Sequence, residues 1–160
     1  MKIISHAFRI ILLSIVVLSL NACQAPLKEK EPGWTSGSGE VRPGPKTGKA
    51  VLALLAKARE ASKRGELMTA ESQLERALRI EPRNPTLWLY MAKLRFYNNK
   101  FNEAINLSKK ALALSSGASS DVNPDTLRAD CWRVIAHSYE KQGNHEQAKI
   151  AEDKADSLSH

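Results

Sequence analysis

Apolar residues are distributed along this chain in three different ways. From Ile10 to Leu20 they form a run broken only by Ser14 and Ser19. From Gln24 to Lys49 they are sparse and follow no period. From Val51 onward they return at spacings of three and four, the mark of helices with one buried face. Val51, Leu52, Leu54, Leu55 and Ala58 make a first face, Gly65 breaks it, and Leu67, Ala70, Leu74, Ala77 and Leu78 make a second. Two helices joined by a tight turn over Arg64 to Glu66 are predicted. Pro82 and Pro85, on either side of Asn84, close the pair because proline cannot continue a helix.

The pattern then repeats. Ala70 recurs at Ala104 and Ala77 at Ala111, 34 residues on, while Trp88 recurs at Trp132 and Ala104 at Ala148, 44 residues on. The extra ten residues fall in Ser115 to Asp125, rich in Ser, Gly, Asp, Asn and Pro, and a longer loop is predicted there. The units span about 51–84, 85–118 and 129–160, within a domain over 50–160. Leu54, Ala58, Gly65, Ala70, Ala77 and Pro82 mark the first unit, Trp88, Ala92, Ala104 and Ala111 the second, and Trp132, Ala136, Tyr139, Gly143, Ala148 and Ala155 the third. In this register the chain resembles a tetratricopeptide repeat array. The predicted fold class is therefore all-α, about three helical hairpins stacked as a short superhelix behind a disordered tether. Two departures stand out. Asn98 and Asn99 replace the turn glycine of the second unit, which Asn tolerates. Glu152 stands where a large apolar residue is usual, with no capping helix after it, so the last helix is expected to fray or to be covered by a partner.

Lys2, His6 and Arg9 precede the early apolar run and Ala22 follows it, which reads as a secretory signal over residues 1–22. The run is shorter than the roughly 20 residues that cross a bilayer. Leu20-Asn21-Ala22-Cys23 resembles a bacterial lipobox, which implies that Cys23 is the lipid-attachment residue and the first residue of the mature protein. Gln24 after it implies, by the same resemblance, the periplasmic face of an outer membrane. The lipidated Cys and a Pro/Gly-rich linker fill 23–49, a tether that reaches about 85 Å when drawn out. Gly44 to Ala50 only superficially looks like a phosphate-binding loop: the second glycine comes one residue early, Ala50 has no hydroxyl, and no strand precedes it. Trp34 in the linker is a surface contact or a small docking motif.

Composition narrows the function. The formal charge is +7, and setting aside Met1 to Ala22 removes Lys2 and Arg9 and no acid, leaving +5. The remaining cations are interleaved with acids along helical segments, which describes solvated faces and not a nucleic-acid footprint. His6 lies in the signal, His160 is terminal, and His137 and His145 fall on different helices with no ligand set beside them. Cys131, next to Trp132, has no base or orienting carboxylate in evident reach and reads as a structural thiol. No catalytic residue, metal or cofactor is expected beyond the covalent lipid on Cys23, and a wall hydrolase is set aside for want of acid/base or metal residues.

Tetratricopeptide arrays bind partners in a groove lined by the first helix of each unit. That resemblance implies a partner-binding set of Arg59 and Lys63, then Leu89, Lys93, Phe96 and Tyr97, then Arg133, His137 and Lys141. Cations and rings suit an acidic or extended protein segment. The whole layout is similar to the LpoP-type activators of class A penicillin-binding proteins, most tellingly over Gln73 to Pro85, Leu87-Trp88 and Leu94-Arg95. This implies an outer-membrane lipoprotein, not an enzyme, that stimulates a peptidoglycan synthase by direct contact. The alternative is a pilotin or assembly scaffold for a secretin or pilus system.

Overall fold

The computed structural model describes residues 47–115 and 123–159. The signal, Cys23 and almost all of the linker lie outside them. Six helices are described: α1 (Lys49–Lys63), α2 (Leu67–Ile80), α3 (Pro85–Tyr97), α4 (Phe101–Ser115), α5 (Pro124–Lys141) and α6 (His145–Ser157). They form three antiparallel hairpins, α1/α2, α3/α4 and α5/α6. The hairpins stack through α2 on α3 and α4 on α5, and α3 also touches α5. None of the described helices is long and apolar enough to cross a membrane.

The small residues at matching positions in the units explain the close packing. Ala58, Ala92 and Ala136, Ala70, Ala104 and Ala148, and Ala77, Ala111 and Ala155 are all buried. Alanine at these places lets helix axes approach until larger residues interlock around them. Between the first two hairpins that filling is Val51, Leu54, Leu55, Leu74, Leu87, Met91 and Leu94. Between the last two it is Ile105, Ile135 and Ala151, with Leu112, Trp132 and Tyr139 against them.

The three hairpin turns share one geometry. Glu66, Lys100 and Asn144 each donate their N–H to a carbonyl five residues back, Ala61, Arg95 and Tyr139, always at 2.9 Å. This closure needs a left-handed residue just before the donor. Gly65 (φ 76°) and Gly143 (φ 77°) supply it in two units, and Asn99 (φ 56°) supplies it in the second, as predicted.

One boundary differs from the sequence reading. The loop expected over Ser115 to Asp125 is helical at both ends: Ser115 closes α4 and α5 already begins at Pro124, five residues before the third unit was placed. Asn123 accepts the N–H of Asp125 at 3.0 Å and Pro124 occupies the first turn, repeating the cap that Asn84 and Pro85 give α3. The added turn pays its way by burying Leu127. Much of the insertion therefore lengthens α5 to 18 residues, against 13 in α3.

Candidate partner-binding face

The first helices α1, α3 and α5 carry a continuous polar row from one end of the stack to the other. On α1, the Arg59 guanidinium lies 5.9 Å from the centre of the Tyr90 ring of α3. One turn along α3, the Lys93 ammonium approaches the same ring at 5.9 Å and pairs with Asp130 Oδ2 on α5 at 3.0 Å. Arg133 Nη1 reaches Asp130 Oδ1 at 3.3 Å, and its Nη2 donates to the hydroxyl of Ser159 at 2.7 Å. The side chains of Lys93 and Asp130 are only 18% and 10% exposed, so removing one partner costs more than breaking a surface salt bridge.

The expected groove residues do not share one fate. Arg59, Lys93 and Arg133 belong to the row, and Lys63 and Lys141 are exposed at the ends of α1 and α5. Tyr97 and His137 are half-buried around Phe96, whose ring lies 6.1 Å from Tyr97 and 6.4 Å from His137. Leu89 and Phe96 offer a partner almost no surface, being 0% and 5% exposed, and are corrected to core residues. The reason is their place on α3, the central first helix, which has α2, α4 and α5 around it and so buries most of its circumference. Tyr90, Asp130 and Ser159 were missed. Asp130 could have been found, since it precedes Arg133 by three residues on one helix, the spacing at which opposite charges meet.

Burial sets the ionisation of this face. The His137 imidazole is held below its ordinary value mainly by burial, with Arg133 and Lys141 adding to the effect and Glu152 and Glu140 opposing it. Tyr90 is raised by burial, partly offset by Arg59. Cys131, 0% exposed, has its thiol pushed far up by burial, which keeps it protonated and inert and fits the structural role. Among the described residues no group of His, Cys, Asp and Glu has the arrangement of a metal site.

A concavity of about 590 Å³ opens between α2, α3 and α4 over Leu78, Trp88, Met91 and Leu107. Arg95 lies at its edge, bound to Glu71 and Glu103.

No protein-family model matches the sequence, and no curated protein matches it. Solved structures do. The globular C-terminal domain of P. aeruginosa LpoP is 32% identical, with a TM-score of 0.62 over 68% of this chain and 97% of that one. The N-terminal domain of stress-induced protein-1 (STI-1) from C. elegans is 21% identical, with a TM-score of 0.60 over 68% of this chain and 84% of that one. The Cut9-Hcn1 structure from the APC/C is 23% identical, with a TM-score of 0.60 over 69% of this chain and 21% of that one. The last two share the fold: this is a tetratricopeptide-type array of helical hairpins.

Proposed function

The chain belongs to the LpoP family, and from that membership we propose that it is an outer-membrane-anchored module that activates a class A penicillin-binding protein by direct contact. The observation that carries the reading is the 32% identity sustained over 97% of the LpoP domain. The lipobox at Leu20 to Cys23 and the long Pro/Gly tether support it, since together they would hold the domain on a leash of about 85 Å on the periplasmic side. Activation then works through differential affinity: the domain binds the active conformation of the synthase more tightly and shifts its population, supplying no catalytic group itself. The polar row across α1, α3 and α5 is the surface assigned to that contact.

The test adds the chain from Gln24 onward to a purified class A synthase with lipid II, and follows glycan polymerisation and cross-linking. A saturable rate increase is expected. Absence of both binding and stimulation with all of the organism's own synthases would remove this reading.

A further inference from the structure

Two arginines sit at nearly equal depth in this domain and use their nitrogens differently. Arg95, 17% exposed, is saturated with carboxylate. Its Nη1 donates to Glu71 Oε2 at 2.8 Å, its Nη2 bonds Glu71 Oε1, and its Nε pairs with Glu103 at 2.9 Å. It ties α3 to α2 and α4, with Nε and both Nη atoms already on carboxylates. Arg133, 18% exposed, faces a carboxylate through Nη1 alone, at 3.3 Å. Its Nη2 rests on the neutral Ser159 hydroxyl.

A guanidinium matches a carboxylate best through two parallel bonds. Asp130 does not provide the second, because its other oxygen is taken by Lys93 at 3.0 Å. The Ser159 hydroxyl, which itself donates to the Ala155 carbonyl at 3.0 Å, is a weak hold by comparison, since it is uncharged and a charged acceptor is roughly twice as strong. The fork of Arg133 is therefore half committed and half parked. The first helices α1, α3 and α5 together carry nine Lys and Arg against four acids, Glu60, Asp125, Asp130 and Glu140, a surplus that favours an incoming anion. Of those acids, Glu140 is engaged by His145 at 3.0 Å.

We propose that Arg133 is the anchor for a carboxylate on an acidic segment of the protein partner, which displaces Ser159 and occupies the guanidinium fork. The Lys93–Asp130 pair stays in place as the floor of that subsite and orients Arg133 from below. The proposal rests on reading the first-helix face as the partner surface, and it narrows the partner segment to one rich in Asp or Glu.

The chain from Gln24 onward contains all of the described fold and serves for the test. It is titrated into a short fluorescein-labelled Glu-Ser repeat peptide, with anisotropy read at low and high salt. Saturable, salt-sensitive binding is expected. Arg133→Lys keeps the charge but loses the fork, and is expected to weaken binding about tenfold. Lys149→Ala removes a whole charge from an outward position on α6, 80% exposed, and is expected to change it by less than about twofold. Equal losses in the two variants, no loss in Arg133→Lys, or no saturable binding would each overturn the proposal. Ser159→Ala guards against misfolding of the arginine variant: releasing Nη2 is expected to tighten the peptide about twofold, and a weakening counts against the idea. The synthase assay separates the two readings. Peptide binding through Arg133 without stimulation of any synthase removes the activator function and leaves this subsite standing. Equal stimulation by the natural chain and Arg133→Lys removes the subsite and leaves the activator function standing.

Discussion

The Lys110 ammonium sits 3.5 Å from the centre of the Trp88 ring, a contact between the second and the first helix of one hairpin. The Trp88 indole N–H is meanwhile held by the Pro82 carbonyl at 2.8 Å, so the ring has a fixed orientation under the cation. The arrangement recurs 44 residues on, where Lys154 lies 4.3 Å over Trp132. Lysine at this place in a unit covers the large ring that wedges neighbouring hairpins apart.

Removing that cover has a modest and specific cost. Lys110→Ala is expected to lower stability by about 0.5–1 kcal/mol, the worth of a cation over a ring at a solvent-accessible site. A urea double-mutant cycle with Trp88→Leu should return a coupling of that size, and a zero coupling would make the contact incidental.

The turn residue of the second unit is open to a clean comparison. Asn99→Ala is expected to cost about 1–2 kcal/mol, because a β-carbon without a local hydrogen-bonding group is disfavoured at positive φ. Gly65→Ala should cost a similar amount, all of it backbone, since no atom lies within 4 Å of the added carbon. Asn99→Gly should be neutral or slightly stabilising. Thermal melts of the three variants would check the order.

The Lys93–Asp130 pair should behave as a buried ion pair and not as a surface one. Asp130→Ala removes the carboxylate that both Lys93 and Arg133 meet and is expected to cost about 3 kcal/mol in urea unfolding. Lys93→Met combined with Asp130→Leu should recover most of that loss, because a packed apolar pair incurs no desolvation penalty. Failure of the double variant to recover would mean that the pair is needed for the packing of α3 on α5.

Acid should weaken the fold through His137. Its folded-state value lies below the ordinary 6.5, so below that pH the unfolded chain takes up the proton more readily than the folded one. Stability is therefore expected to be full above about pH 6.5, to fall as pH drops below it, and to level off once the folded form is also protonated. His137→Gln should flatten that part of the urea midpoint against pH. An unchanged profile would place the effect elsewhere.

Local physics made much of the domain legible from the residues alone. Apolar spacing of three and four, Pro at helix starts and Gly at turns specify helices through contacts within a few residues, so a stack of helical hairpins follows from the sequence. The same holds for Asn99, whose tolerance of a left-handed backbone is its own property. The alanine periodicity identified the stacked-hairpin fold because small residues at a fixed repeat admit few other packings.

Tertiary structure decided what depends on who stands next to whom. Leu89 and Phe96 fall on the helix that should line the groove, and only the convergence of three other helices on α3 buries them. The early start of α5 also needed the fold, since Leu127 rewards an extra turn only when a neighbour is there to bury it. Arg95 and Arg133 look alike as letters in a helix. One is saturated and the other half-used because Glu71, Glu103, Asp130 and Ser159 arrive from different distances along the chain, and a guanidinium is defined by the acceptors that reach it.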